Sequence, residues 1–558
     1  MKFDGIRRRL RSRLAEQANA TAGQGIRNAT DFLVYALVGA VVGGGVAIVE
    51  WVAIEWLLHD AEEAPRWALA VLPGIGLVVT AVVLRLSRTD SSTSDEYIKA
   101  FHGDASLPPR DLPGKLAAAT ATLGSGGALG FEGPAVHLGA TVGRFTGARL
   151  PRYDGPRHRA LLVAGAAAGV SAVFKAPATG VLFALESPYR RDLARHALLP
   201  ALVASAAAYL VFVPLIGDDP LLRFRMIGET STSEILGALL IGLLGGFLAR
   251  ATARLFRSAK DSAKKLPLAV RLPGAAAVLA ASVLISLELV EESITFGPGA
   301  EKVVDLVLDP QWGFWVILAI LGLRILATSA TLVGGGVGGL FIPLVVVGML
   351  LGRLVEIVVD EQSAGLFAAI GLASVLGAAY RTPLAAVMFV AETTGRAEFV
   401  IPALMATAVS QLAMGGDSVA AGQLDERKGR LERRLGRPVS EVTERDVLVV
   451  SPDDRLVDVL DRLGGDVHLP GLPVVSENGC DLLVLNDIAS ALFDKGDEAV
   501  VRDCLRNVPA VSTEAVATEA ARVMATYSTA AVVVVDADGQ PIGIVTTESI
   551  AGLTEMEL

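Results

Sequence analysis

The chain has 558 residues, 52% of them hydrophobic and 19% charged, with a net charge of −10 and a mean hydropathy of +0.53. So apolar a composition excludes an ordinary soluble enzyme of this length, and two cysteines with six histidines supply neither a disulfide framework nor a metal-ligand cluster. From Glu441 onward 22 Asp and Glu face 7 Lys and Arg, so a weakly basic apolar part precedes an acidic one, and nucleic acid is excluded as a partner.

Residues 1–30 open the chain as a basic amphipathic helix: Lys2, Arg7, Arg8, Arg9, Arg11 and Arg13 lead into polar Glu16-Gln17-Ala18-Asn19, not into a signal-peptide core. Apolar stretches follow near 32–57, 66–86, 115–147, 160–187, 197–216, 234–250, 268–290, 312–330, 331–356, 365–391 and 399–415. Several are too long or too rich in glycine and proline for one simple span, which predicts tilted and broken helices. A second basic cluster, Arg427, Lys428, Arg430, Arg433, Arg434 and Arg437, marks a linker over 425–437. The positive-inside rule places both ends of the chain in the cytoplasm and the protein in the cell membrane.

Within the third stretch, Gly130-Phe131-Glu132-Gly133-Pro134 sets one carboxylate in a glycine-rich apolar run. An ionisable group at bilayer depth is costly unless it faces a cavity or an ion path. A helix restarting at Pro134 aims free N–H groups at that cavity, which predicts an anion site with an acidic gate.

The pattern recurs. Phe174-Lys175-Ala176-Pro177 leads to Glu186, and Tyr380-Arg381-Thr382-Pro383 leads to Glu392, with nine positions from Pro to Glu in both. Gly130–Pro134 has its counterpart in Gly339-Leu340-Phe341-Ile342-Pro343, so the two motifs repeat at offsets of 206 and 209 residues. A duplicated half with broken helices at matching places points to a transport site. The expected halves are 31–225 and 226–424 of a membrane domain over 31–424. Glu186 and Glu392 are read as structural acceptors for helix N-termini, and His137 as a packed histidine.

From Pro438 the pattern changes to short β-rich runs alternating with amphipathic helices, including Val447–Val450, Gly471–Val475, Leu482–Leu485, Ala530–Val535 and Gly543–Val545. Asp536-Ala537-Asp538-Gly539 predicts a hairpin turn. Two α/β modules are expected, at 438–498 and 499–558.

Together these motifs resemble the CLC family of chloride channels and proton–chloride exchangers, and the tandem modules resemble a CBS pair. The resemblance implies an all-α polytopic membrane domain, an inverted repeat of broken and tilted helices, followed by an α/β CBS tandem. It also implies a homodimer with one chloride path per subunit and no required cofactor. Carried over by motif, Glu132 is the gating glutamate, and Gly130, Phe131, Gly133, Gly339, Leu340, Phe341 and Ile342 form the anion-binding loops. Phe131 stands where the family has Lys or Arg. The family's first anion motif falls near Ser91–Asp95, where only Ser92 fits. Ala420 aligns with the family's inner tyrosine, which predicts a wider and weaker central site. Ser187 stands where exchangers carry an internal proton-handling glutamate. In the second module, Thr546 and Ser549 approximate the ribose contacts of adenosine-nucleotide-binding members; a dimerisation module without nucleotide is the alternative.

The resulting expectation is a glutamate-gated path that conducts chloride in a channel-like or uncoupled way. Its alternative is a proton-coupled chloride exchanger. From other classes, a CBS-bearing divalent-cation transporter needs clustered pore acids, and an intramembrane enzyme needs paired catalytic groups; the membrane region shows neither.

Overall fold

The computed structural model describes residues 28–551 apart from 154, 220, 223, 225–231, 360–364, 428–434, 465–468 and 477–478. Most of the basic N-terminal helix and the middle of the basic linker lie outside the described residues. The chain divides into two compact units, Met1–Glu426 and Arg427–Leu558.

The first unit is helical. Its helices are α1 (Asn28–Glu62), α2 (Arg66–Ser87), α3 (Ser94–His102), α4 (Leu112–Gly124), α5 (Glu132–Arg149), α6 (Gly155–Phe174), α7 (Pro177–Glu186) and α8 (Leu198–Ile216). The second half continues with α9 (Thr232–Lys265), α10 (Leu268–Val290), α11 (Ala300–Leu308), α12 (Phe314–Gly334), α13 (Phe341–Val359), α14 (Leu366–Tyr380), α15 (Pro383–Thr394) and α16 (Val400–Met414). Among the described residues, eight helices are long and apolar enough to cross a membrane. The short ones, α7, α14 and α15, are the broken helices that the prolines and glycines foretold. Large apolar side chains stand outward, among them Leu210, Ile401, Leu412 and Trp315. In a bilayer these meet lipid or another subunit, so the chain is a multi-pass membrane protein.

The duplication is built into the packing. Helices α5 and α6 touch through Gly139 and Gly165, where a Cβ on Gly139 would lie 2.0 Å from the Gly165 carbonyl oxygen. Helices α13 and α14 touch through Gly348 and Gly371 in the same way, with a Cβ on Gly348 at 2.4 Å from the Gly371 carbonyl. These glycines stand at the 209- and 206-residue offsets of the sequence motifs. Small residues let the backbones of membrane helices approach closely.

The two halves also complete each other. Glu186, ending α7, accepts from the N–H groups of Leu384 (3.1 Å) and Ala385 (2.8 Å) at the start of α15. Glu392, in the last turn of α15, accepts from Ala178 (2.9 Å) and Thr179 (2.7 Å) at the start of α7, and from the Thr179 hydroxyl (2.7 Å). Each helix end holds the other helix's start, so the pair runs antiparallel with a pseudo-twofold relation. The structural reading of both glutamates holds.

The second unit carries two three-stranded sheets, each with its own apolar core. Helix α17 (Leu456–Leu463) precedes β1 (Gly471–Ser476), β2 (Gly479–Val484), α18 (Leu485–Lys495) and β3 (Leu505–Arg506). Then come β4 (Val511–Ser512), α19 (Ala517–Tyr527), β5 (Ala531–Val535), β6 (Pro541–Thr546) and α20 (Thr547–Ala551). The Asp536–Gly539 turn joins β5 to β6 with Gly539 at φ 77°. The strand expected at Val447–Val450 reduces to a single bridge from Val450 to Val474.

Candidate functional site

The two broken loops of the membrane unit meet backbone to backbone. Gly130 N–H donates to the Gly339 carbonyl (3.0 Å), and Gly339 N–H donates to the Gly130 carbonyl (2.7 Å). This isolated antiparallel bridge satisfies unwound peptide groups that would otherwise stand bare at bilayer depth. On either side of it a helix begins, α5 at Glu132 and α13 at Phe341.

Glu132 is 2% exposed. Its Oε1 accepts a short hydrogen bond from the Phe341 N–H, and the N–H groups of Ile342 and of Glu132 itself also face the carboxylate. Its Oε2 has no hydrogen-bond partner among the described residues. The flanking glycines make the space: a Cβ on Gly130 would lie 1.9 Å from Oε2, and one on Gly339 would lie 2.1 Å from Oε1. A carboxylate thus rests on free helix N-terminal amides, the place where a small anion is best held.

Leu340 lies beside the carboxylate, and its backbone faces the hydroxyl of Tyr380, the last residue of α14. That hydroxyl also meets the Ser94 side chain at the start of α3. The Tyr380 ring packs against Phe183 (5.5 Å between centroids) and Phe341 (6.4 Å). This bears on two expectations. Although Ala420 brings no hydroxyl, α14 sets the Tyr380 phenol against the Leu340 backbone. In the segment after α2, Thr93 reaches the Gly338 carbonyl and Ser94 the Tyr380 hydroxyl. Ser92 N–H is turned onto Asp90 Oδ1 (2.9 Å), and its carbonyl accepts from Lys115 Nζ (2.7 Å). An Asp90 turn thus precedes α3, which starts at Ser94. Thr93 instead donates to the Gly338 carbonyl at 3.3 Å. The sequence signal for Tyr380 was its lead position in the second repeat motif, where Phe174 leads the first.

The remaining departures lie together. Ser187 is buried with its hydroxyl facing that of Tyr97, and its carbonyl accepts from Gln423 Nε2 (2.8 Å). The same amide group donates to the Tyr380 carbonyl (2.9 Å). Ala420 is buried and donates its N–H to Ser418 Oγ (3.2 Å), which in turn donates to Gln423 Oε1. Phe131 and Ile342, next to Glu132 and Phe341 in the two loops, line a cavity. His137 is packed, as expected, with Nδ1 at 3.1 Å from Glu96 Oε2. Glu96 Oε1 accepts from buried Lys115 Nζ at 2.6 Å.

In the second unit, Thr546 and Ser549 bind each other. Ser549 N–H donates to Thr546 Oγ1 and Thr546 N–H donates to Ser549 Oγ, both at 2.9 Å, while Thr546 Oγ1 donates to Glu444 Oε1 at 2.9 Å. They cap α20, and a sugar hydroxyl has to replace the Glu444 contact to bind there.

Comparison with known proteins identifies the family. The family profile described as "Voltage gated chloride channel" matches residues 75–415, and the CBS domain profile matches 439–493 and 501–553. A "Putative chloride channel protein ClcB-like" of Ralstonia nicotianae is 28% identical over 388 residues, covering 67% of this chain and 89% of that protein. An "H(+)/Cl(-) exchange transporter ClcA" of Citrobacter koseri is 27% identical over 326 residues, covering 55% of this chain and 67% of that protein. The crystal structure of a slow cyanobacterial Cl−/H+ antiporter superposes with a TM-score of 0.61 at 21% identity, over 70% of this chain and 96% of that one, a likeness of fold.

Proposed function

The chain belongs to the voltage-gated chloride channel (CLC) family, with a tandem CBS pair, and from that premise we propose that it exchanges chloride for protons across the membrane. Anion transport is the family's work; the coupling is our reading. One observation carries it: the Glu132 carboxylate holds the Phe341 N–H that an anion needs. An anion reaches that amide only when the carboxylate leaves, and a proton taken up by the carboxylate weakens its hold on the amide dipoles. Anion binding and proton binding therefore compete for one side chain, which is the elementary condition for coupling them. Relatives that bear the name of H(+)/Cl(−) exchange transporter support the same reading. Channel-like conduction, which Ser187 favoured, has less support, since Glu132 is sealed onto amides and Tyr380 adds a hydroxyl beside Leu340.

The anion path runs past Gly130, Phe131, Gly133, Gly339, Leu340, Phe341 and Ile342, with Ser94 and Tyr380 as hydroxyl donors. The working protein is a homodimer in the cell membrane with both termini in the cytoplasm. The CBS pair serves assembly, because Thr546 and Ser549 are already committed to capping α20.

The test is purified protein in vesicles with a chloride gradient and a pH electrode outside. Exchange predicts that chloride leaving the vesicle drives protons inward against no imposed pH gradient. Chloride flux with no proton movement returns the assignment to a channel.

A further inference from the structure

A second carboxylate faces the same anion path from outside the motifs. A cavity of about 260 Å³ is lined by Phe131 and Ile342, the residues flanking Glu132 and Phe341, together with Phe174 and Glu50 of α1. Oε2 of Glu50 is closed off from solvent and has no hydrogen-bond partner among the described residues. Immediately after it, Trp51–Leu58 is π-helical. π-Helical turns are rare and concentrate at functional sites, and the run Trp-Val-Ala-Ile-Glu-Trp-Leu-Leu holds no glycine or proline to cause one locally.

The charges around Glu50 are the reverse of what a mouth that only attracts anions would carry. Glu55, His59 and Glu62 of α1 and Glu301 of α11 line the cavity with it. Two cations stand nearby. Lys302 is tied to Glu62 Oε1 (2.8 Å) and Ser293 Oγ (3.2 Å). Lys175, though tethered to the Asp219 carbonyl (3.1 Å), keeps a charge that acts on the Glu50 carboxylate. Phe131, next to the gate, brings no charge. The described residues hold no cluster of His, Cys, Asp and Glu arranged to ligate a metal ion. That leaves the proton as the cation for these acids to take.

We propose that Glu50 is a proton-binding carboxylate at the mouth of the anion path: ionised, it repels an anion approaching Glu132; protonated, it admits one. The proton comes from the aqueous side onto which the cavity opens and returns there, with no other bond made or broken. Glu132 and Glu50 thus act in series, the first by occupying an anion position and the second by setting the potential in front of it. A buried carboxylate oxygen at membrane depth with no hydrogen-bond partner among the described residues marks a functional group by default.

The experiment isolates Glu50 from the gate by working in the Glu132→Gln protein, whose gate no longer titrates. Chloride flux into vesicles is measured while pH is varied on one side at a time. Lowering pH from about 8 to about 5 on the cavity side is expected to raise flux roughly tenfold, and on the other side to leave it unchanged. A tenfold change is about 1.4 kcal/mol, the order of one unit charge acting across a cavity of this kind at an effective dielectric of about 20. Adding Glu50→Gln is expected to abolish this one-sided dependence, and adding Glu50→Asp, which keeps the carboxylate, to preserve it. A flat profile on both sides in Glu132→Gln overturns the proposal. So does a slope that survives Glu50→Gln. Neither outcome bears on whether the wild-type protein couples chloride to protons, since that is read in the unsubstituted chain.

Discussion

In the proposed exchange the chemistry turns on two side chains, Glu132 and Tyr380, and they differ in how much of each the sequence disclosed. A lone acid between glycines in an apolar stretch announces itself, because burying it without purpose costs too much. Its partner amide at Phe341 was also legible, through the repeat. We expect Glu132→Gln to abolish proton movement while chloride still crosses, as read by chloride and pH electrodes on the same vesicles. Tyr380 was hidden because an aromatic before a broken helix is ordinarily packing, and because motif alignment directed attention to Ala420. Which of two helix ends supplies a hydroxyl is decided by three-dimensional convergence, which spacing does not encode. At Ser92 too, spacing did not show that the backbone is held by Asp90 and Lys115 while the neighbouring Thr93 and Ser94 hydroxyls make the contacts toward the loops and Tyr380. Tyr380→Phe is expected to weaken chloride binding about tenfold by calorimetry, the scale of one hydrogen bond to a charged group.

At the scale of elements, the reciprocal capping of α7 and α15 was readable as a motif but not as a partnership. The nine-residue Pro-to-Glu spacing predicted acceptors for helix N-termini, yet nothing in it said that each glutamate serves the other half. Replacing Glu186 or Glu392 by Gln keeps the shape but turns an amide donor toward N–H groups. Each change is expected to destabilise the membrane unit by about 1.5–3 kcal/mol, read as a lower Tm in detergent. Helix α9 makes a second tie. Its 34 residues span about 51 Å at about 1.5 Å per residue, more than the hydrocarbon core needs, so its basic end reaches beyond the bilayer. There Asp417 accepts from Arg250 (2.9 Å) and Arg257 (2.8 Å), with Arg254 at 2.9 Å. Burial pushes the Asp417 carboxyl up, but the three guanidiniums outweigh it and hold the group below its ordinary value. A carboxyl depressed on folding stabilises above its unfolded pKa of about 3.9 and loses that contribution as pH falls through the lower folded value. Thermal stability measured from neutral to acid pH should therefore drop below about pH 4 in the wild type. Asp417→Asn should show a lower stability at neutral pH and a shallower acid drop.

For the molecule as a whole, the change of character along the sequence was its plainest statement. Apolar, glycine-rich runs gave a membrane unit, and the shift to acidic, β-branched segments gave a second unit with its own buried valines, such as Val474, Val532 and Val533. Helix count was not legible, since long apolar runs such as 115–147 conceal a break, and only tertiary contacts show where each helix stops. Because the second unit has separate cores in both modules, residues 427–558 expressed alone are expected to form a soluble folded protein. A cooperative melt followed by circular dichroism checks this.

The crossed caps also bear on how the protein is made. Helix α7 begins with amides whose acceptor, Glu392, lies 213 and 214 residues further along the chain. At a synthesis rate of about 5–20 residues per second, that acceptor emerges roughly 10–40 s later. For that interval the first half sits in the membrane with an exposed polar helix end and an unmatched Gly130 loop. Biogenesis therefore contains an obligatory waiting period, and the nascent first half is the stage at which an insertion chaperone or a quality-control protease has something to recognise.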